Sequence, residues 1–183
     1  YNQAKLTILW CHDLAMKRAE PMYRGTSWNW DKVAVLSEFM RGQYKQVYGF
    51  SDQQFFLTRN GVDLEAVAAA RAEFESLKTT ARNPLSMFFA ARPERGLDIL
   101  LVEIMPRILK QEPNAKLFVS AYDNPVEHLA DFYGHCRALA AGMKGNVVAL
   151  GSLTKSELYA AYHAAGQYVY PTPSRLAPDF DEI

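Results

Sequence analysis

Arg92 and Arg95, in the segment Ala91-Arg92-Pro93-Glu94-Arg95-Gly96, are the side chains of this sequence best suited to hold an anion. The apolar run Leu85 to Ala90 precedes the segment and an amphipathic stretch, Gly96 to Gln111, comes after it. It therefore reads as a loop between the carboxyl end of a strand and the start of a helix. Backbone N–H groups at a helix N-terminus favour an anion by ~0.3–1 kcal/mol at exposed sites. A guanidinium adds planar, charge-assisted hydrogen bonds worth ~1.5–3 kcal/mol each, in a fork that phosphate oxygens accept. Two such forks at this spacing can bracket a diphosphate, and Gly96 lets backbone come close. The competing reading is a solvated loop in which Glu94 pairs locally with an arginine.

Other candidates are weaker. His12, in Trp10-Cys11-His12-Asp13, comes after the first apolar run and would stand at a strand's carboxyl end, with Asp13 able to orient its ring. A single histidine there serves structure or solvent more often than chemistry. The acidic run Asp179-Phe180-Asp181-Glu182 can complement a helix dipole, or a carboxylate there can accept hydrogen bonds from sugar hydroxyls. His128, Asp131 and His135 share one helical face at i, i+3 and i+7, a spacing compatible with a metal. The better reading makes them the solvated stripe of a helix whose Leu129, Phe132, Tyr133 and Cys136 face inward. No Gly-x-Gly-x-x-Gly, no phosphate-binding Gly-x-x-x-x-Gly-Lys-Ser/Thr and no Gly-x-Ser-x-Gly occurs. Dinucleotide binding, P-loop nucleotide hydrolysis and α/β-hydrolase chemistry are thus unsupported.

The elements that must carry these residues alternate short apolar runs with amphipathic stretches, the pattern of parallel α/β architecture. Strands are expected at 5–10, 32–36, 55–58, 85–90, 116–121, 146–150 and 167–170. Helices are expected from Ser37 as N-cap to Tyr48 with Gly49 as stop, from Asp63 as cap through Leu77, and over 96–111, 126–141 and 154–165. Thr154-Lys155-Ser156-Glu157 spells a capping box, Gly166 stands just past that helix, and Asn60-Gly61 marks a turn. Pro106 is expected to kink the 96–111 helix or weaken its last turns. In an open parallel sheet, ligands bind beyond the carboxyl ends of strands. That rule selects the loops 91–95, 121–125, 151–153 and 171–182.

Composition narrows the classes further. Lys plus Arg equals Asp plus Glu at 20 each, so nothing draws the whole chain to nucleic acid. No apolar run reaches the ~18 residues of a membrane span, and no secretory leader is expected from Tyr1 to Arg18. Cys11 and Cys136 are too few for a disulfide framework and suit a reducing cytoplasm. The chain begins without Met and runs at once into a strand, which suggests a piece of something longer.

Several segments together resemble family 4 glycosyltransferases. They are Val35-Leu36-Ser37-Glu38-Phe39-Met40, Asn60-Gly61-Val62-Asp63, Arg92-Pro93-Glu94-Arg95-Gly96-Leu97-Asp98 and Pro113-Asn114-Ala115-Lys116-Leu117. Further on come Val148-Ala149-Leu150-Gly151 with Glu157-Leu158-Tyr159, and Tyr170-Pro171-Thr172. Each is weak alone; their shared order gives the resemblance its weight, and it covers nearly the whole chain.

The resemblance implies an α/β fold: the parallel-sheet, Rossmann-like donor domain of a GT-B glycosyltransferase with a remnant of the amino-terminal, acceptor-side domain. Residues 1–62 would end that acceptor-side domain, 63–84 would be a linker with its helix, and 85–183 an incomplete sugar-nucleotide-binding domain. Arg92 and Arg95 would hold the donor diphosphate, Arg95 standing where the family commonly has Lys. Gly151, Ser152 and Leu153 would border the base. Glu182 would be the first carboxylate of a Glu-x7-Glu pair and His12 a cleft-facing acceptor-side group. The implied parent is a cytoplasmic enzyme with no cofactor and no metal, retaining, taking a nucleoside diphosphate sugar and an acceptor glycan, lipid or protein. Peripheral contact with a membrane is compatible with it, and this segment alone would have little activity. The rivals are a non-catalytic binding or scaffold domain of the same fold and a sugar-nucleotide epimerase.

Overall fold

The computed structural model describes residues 4–76, 82–121, 127–143 and 145–171. They form two compact units that divide between Val62 and Asp63.

In the first unit β1 (Ile8–Trp10), β2 (Lys32–Val35) and β3 (Phe55–Leu57) pair in parallel in that order. Between β1 and β2 lies the short helix α1 (Glu20–Arg24), for which the sequence pattern gives no clear signal. α2 (Glu38–Tyr48) begins where Ser37 accepts a hydrogen bond from the Met40 N–H, and ends at Gly49, whose φ of 75° is left-handed. The Arg24 guanidinium donates to the Val47 carbonyl at 2.8 Å, placing a cation at the negative end of α2. Val33, Val35, Met40, Tyr44 and Tyr48 form the buried seam between helix and sheet. The expected turn at Asn60-Gly61 is absent: residues 58–63 carry no regular structure, and Gly61 is not among the glycines with positive φ, the conformation that favours glycine in a turn.

The second unit starts with α3 (Leu64–Ser76), capped by Asp63 accepting from the Ala66 N–H at 3.0 Å. Strands β4 (Asn83–Ala90), β5 (Lys116–Ser120), β6 (Val147–Ala149) and β7 (Ala165–Tyr168) pair in parallel, in the order β6-β5-β4-β7. The chain moves outward from β4 through β5 to β6, then returns to the other side of β4 with β7. β4 is thus the topological switch point. Helices cover both faces. Phe89, Leu100, Leu101, Met105 and Leu117 are wholly buried on one face, each stabilising the fold by about 1.5–3 kcal/mol. On the other, α7 (Lys155–Ala164) sets Tyr162 edge-on to Phe88 at 5.1 Å and packs against α3. Burial on both sides explains why β4 reads as a continuous apolar run rather than an alternating one.

Two local features differ from expectation. Pro106 does not weaken the end of its helix. The helical run is α4 (Leu97–Ile99), a π-helical turn over Leu100–Ile104 and α5 (Met105–Gln111), with Pro106 in the first turn of α5. Proline cannot donate to the carbonyl of Val102 and its ring crowds it, so the ladder widens before Pro106 while the turns after it stay regular. Gly166 is not a helix stop either. α7 ends at Ala164, and Gly166 lies inside β7, where an added Cβ would fall 2.3 Å from the Asn83 carbonyl oxygen. Its absent side chain lets β7 close onto the start of β4.

Gly96 is more constrained still. Its φ is 100°, and a Cβ there would lie 1.8 Å from the Pro171 carbonyl oxygen. Gly96→Ala must cost at least ~1–2 kcal/mol from the left-handed backbone alone, before the clash is relieved. Gly42, midway along α2, has nothing within 4 Å of its added Cβ. Gly42→Ala should therefore raise stability by ~0.5–1 kcal/mol while Gly96→Ala lowers it by more than that, as read from urea denaturation midpoints.

Candidate anion-binding site at the switch point

β4 delivers Ala91 to the switch point, and a 3₁₀ turn at Pro93–Arg95 carries the chain into α4. Arg92 caps that turn in extended geometry, and its carbonyl accepts the Arg95 N–H at 3.0 Å. Pro93 is buried, which fixes the turn against the sheet while both flanking arginines stay exposed. The left-handed Gly96 then redirects the chain so that α4 starts immediately. First-turn N–H groups have no partner further back in their helix, and here these are the N–H groups of Leu97, Asp98 and Ile99.

Charge in the loop is only partly neutralised. The nearest approach of Arg92 to Glu94 is 3.8 Å, with the arginine side chain half exposed and the glutamate 19% exposed. Such a contact is a loose ion pair, not a closed fork. The glutamate's other oxygen accepts a 2.8 Å hydrogen bond from the Tyr133 hydroxyl on α6 (Ala130–Gly142). Burial, then that bond to a carboxylate, pushes the Tyr133 phenol up to about 12. It remains a donor at any physiological pH. Among the described residues, no hydrogen bond or ion pair engages the Arg95 guanidinium. Glu94 is thus engaged by Tyr133 and only loosely by Arg92, and cationic capacity remains at both arginines.

The loop after β6 lies at the same end of the sheet. Gly151 has a φ of 68°, and its carbonyl accepts a 2.9 Å hydrogen bond from the Ser120 hydroxyl at the end of β5. Ser152 and Leu153, with Ala90, Ser120, Ala121 and Leu158, line a small cavity of about 90 Å³. α7 starts directly beyond, where Thr154 and Glu157 exchange the hydrogen bonds of the expected capping box. Thus Arg92, Arg95 and Gly151–Leu153 all occupy the carboxyl-end rim of one sheet.

Other expected residues lie elsewhere. His12 stands after β1 in the first unit, exposed, with its ring 5.0 Å from that of Trp10. No hydrogen bond joins it to Asp13, whose carbonyl instead accepts from Tyr44. Glu182 and the acidic run around it lie outside the described residues. His128, Asp131 and His135 are exposed while Tyr133 and Cys136 are buried, the amphipathic arrangement read from the sequence. Among the described residues no group of three or more His, Cys, Asp or Glu side chains could hold a metal, and no helix is long and apolar enough to cross a membrane. Tyr133 is the site residue that sequence reasoning misses. Helical spacing puts it on the inward face of its helix, but nothing in the pattern ties it to Glu94.

Comparison with known proteins identifies the fold. No family model matches the chain, and no curated protein matches it by sequence. Solved structures do. HepE of Anabaena, in complex with UDP and glucose, aligns with a TM-score of 0.66 at 13% identity, over 90% of this chain and 46% of that one. Sucrose-phosphate synthase of Thermosynechococcus elongatus gives 0.62 at 19% identity over 90% and 44%. A glycosyltransferase from Rickettsia africae gives 0.60 at 11% identity over 90% and 45%. These neighbours are GT-B glycosyltransferases, and the chain has their parallel α/β, Rossmann-like fold. It spans less than half the length of each.

Both cysteines are buried, and burial pushes each thiol up, Cys136 to about 11 with Asp98 nearby adding to the effect. A thiolate is needed for alkylation. Neither Cys11 nor Cys136 should react with iodoacetamide at pH 8 in the folded chain, and both should react in urea, as counted by intact mass.

Proposed function

We propose that residues 63–171 belong to the donor-side domain of a glycosyltransferase that uses a nucleoside diphosphate sugar. The observation that carries this reading is the Arg92–Gly96 loop. Two exposed guanidinium groups precede a left-handed glycine where strand order reverses and a helix begins. In this reading Arg92, Arg95 and the first N–H groups of α4 hold the diphosphate, and Gly151, Ser152 and Leu153 border the base. In the same reading the 90 Å³ cavity lined by Ser152 and Leu153 would receive the edge of the base. HepE, one of the structural neighbours, was solved with UDP and glucose, which supports a uridine or related nucleotide as the first ligand to try.

The reaction proposed for the parent breaks the bond between the sugar's anomeric carbon and the diphosphate oxygen and forms one to an acceptor hydroxyl, whose proton is released. Negative charge grows on the departing diphosphate. Fixed cations and helix N–H groups stabilise it without reorganising, which is the role a divalent ion fills elsewhere. Retention of configuration, independence from metal and a cytoplasmic setting belong to the same proposal. So do Glu182 as a carboxylate near the transferred sugar and His12 as an acceptor-side group. The acceptor is a glycan, lipid or protein hydroxyl. Little activity of this segment alone, with nucleotide binding kept, belongs to the same proposal.

Calorimetric titration with UDP and GDP tests the donor site. Arg92→Ala and Arg95→Ala should each weaken binding roughly 10–100-fold, the equivalent of losing one charge-assisted hydrogen bond. Binding unchanged in both variants would exclude this loop as the diphosphate site and favour a scaffold role for the fold.

A further inference from the structure

We infer that Tyr133 is a positioning residue for Arg92, acting through Glu94; this rests on the donor-site reading above. A carboxylate two residues from a diphosphate-binding arginine is a hazard. Left free, it can swing onto the guanidinium as a closed fork and compete with the phosphate, or present its own charge to it. The structure holds Glu94 in neither arrangement. The Tyr133 hydroxyl, buried on α6, engages Oε2 at 2.8 Å, and the carboxylate is mostly shielded from solvent. Oε1 is thereby kept 3.8 Å from Nη1 of Arg92, near enough to orient the guanidinium and too far to saturate its donors.

The tether is stiff. Tyr133 is 2% exposed, its ring lies 6.4 Å from that of Phe132, and α6 runs on from it for nine more residues to Gly142. Tyr133 therefore reaches the loop from a different element, 39 positions along the chain from Glu94. The loop's own bonds, Arg95 N–H to Arg92 carbonyl and Gly96 N–H to Pro93 carbonyl, fix its backbone but leave the Glu94 side chain undirected. Among the described residues, only the phenol selects where that carboxylate stands. Without it, Glu94 is released toward its nearest cation, Arg92.

The test is a double-mutant cycle on the whole chain, with UDP as the probe. Wild type, Tyr133→Phe, Arg92→Ala and the pair are titrated by calorimetry, and each is melted to record Tm. Tyr133→Phe keeps the ring and should lower Tm by only a few degrees, the loss of one hydrogen bond, while weakening UDP roughly 3–10-fold. In the Arg92→Ala background the same substitution should change affinity less than twofold, because its effect passes through that guanidinium. Glu94→Ala removes the competing carboxylate itself; with Tyr133→Phe added it should show no further loss, and it serves as the route to the answer should Tyr133→Phe fold poorly. A Tyr133→Phe loss of equal size with and without Arg92 would overturn the inference, as would no loss in a chain where Arg92→Ala weakens UDP. Those results leave the donor site standing. If UDP binds no differently after Arg92→Ala, the donor reading fails and this inference with it.

Discussion

The Pro171 carbonyl occupies the space where a side chain on residue 96 would begin, and the candidate site depends on that contact. Pro171 lies beyond β7 and Gly96 beyond β4, the two strands between which the order of the sheet reverses. Only a residue without Cβ, at a φ of 100°, allows the two backbones to come so close. The constraint does two things together. It closes the rim of the sheet at the switch point, and it turns the chain sharply enough that Arg92 and Arg95 precede the helix start directly rather than along a longer loop.

Much of this is legible in residue order. Ser37, Asp63 and Thr154 as helix caps, Gly49 as a left-handed stop, and a parallel sheet with helices between its strands are local or periodic signals, and local signals survive translation into structure. Placement of Arg92, Arg95 and Gly151–Leu153 at one end of the sheet also comes from strand direction, since every residue just beyond a parallel strand reaches the same rim. The fold shared with GT-B glycosyltransferases is what the short segments imply, no family model or curated sequence matches the chain, and the structural likeness is what establishes the fold.

Features that depend on contacts between distant segments cannot be read from residue order. The Tyr133 to Glu94 hydrogen bond spans 39 residues and leaves no trace in spacing. Gly166 looks like a helix stop because the amphipathic run ends just before it; its actual constraint is the Asn83 carbonyl, a strand away. Pro106 is different: of the two outcomes expected for it, a kink or weakened last turns, the last turns stay regular, and the widened ladder lies upstream, at the Val102 carbonyl that a proline cannot satisfy. For the Tyr133 bond and for Gly166, tertiary contact decides what residue order leaves open.

The central claim is that a diphosphate is held where β4 meets the first turn of α4. The most direct measurement is the amide ¹H–¹⁵N spectrum of the chain during titration with UDP. The account predicts the largest shifts at Arg95, Gly96 and Leu97, with a second group at Gly151, Ser152 and Leu153 moving at the same ligand concentration. Shifts clustered away from the carboxyl-end rim of β4 and β6, with Gly96 and Leu97 unmoved at saturation, would contradict it.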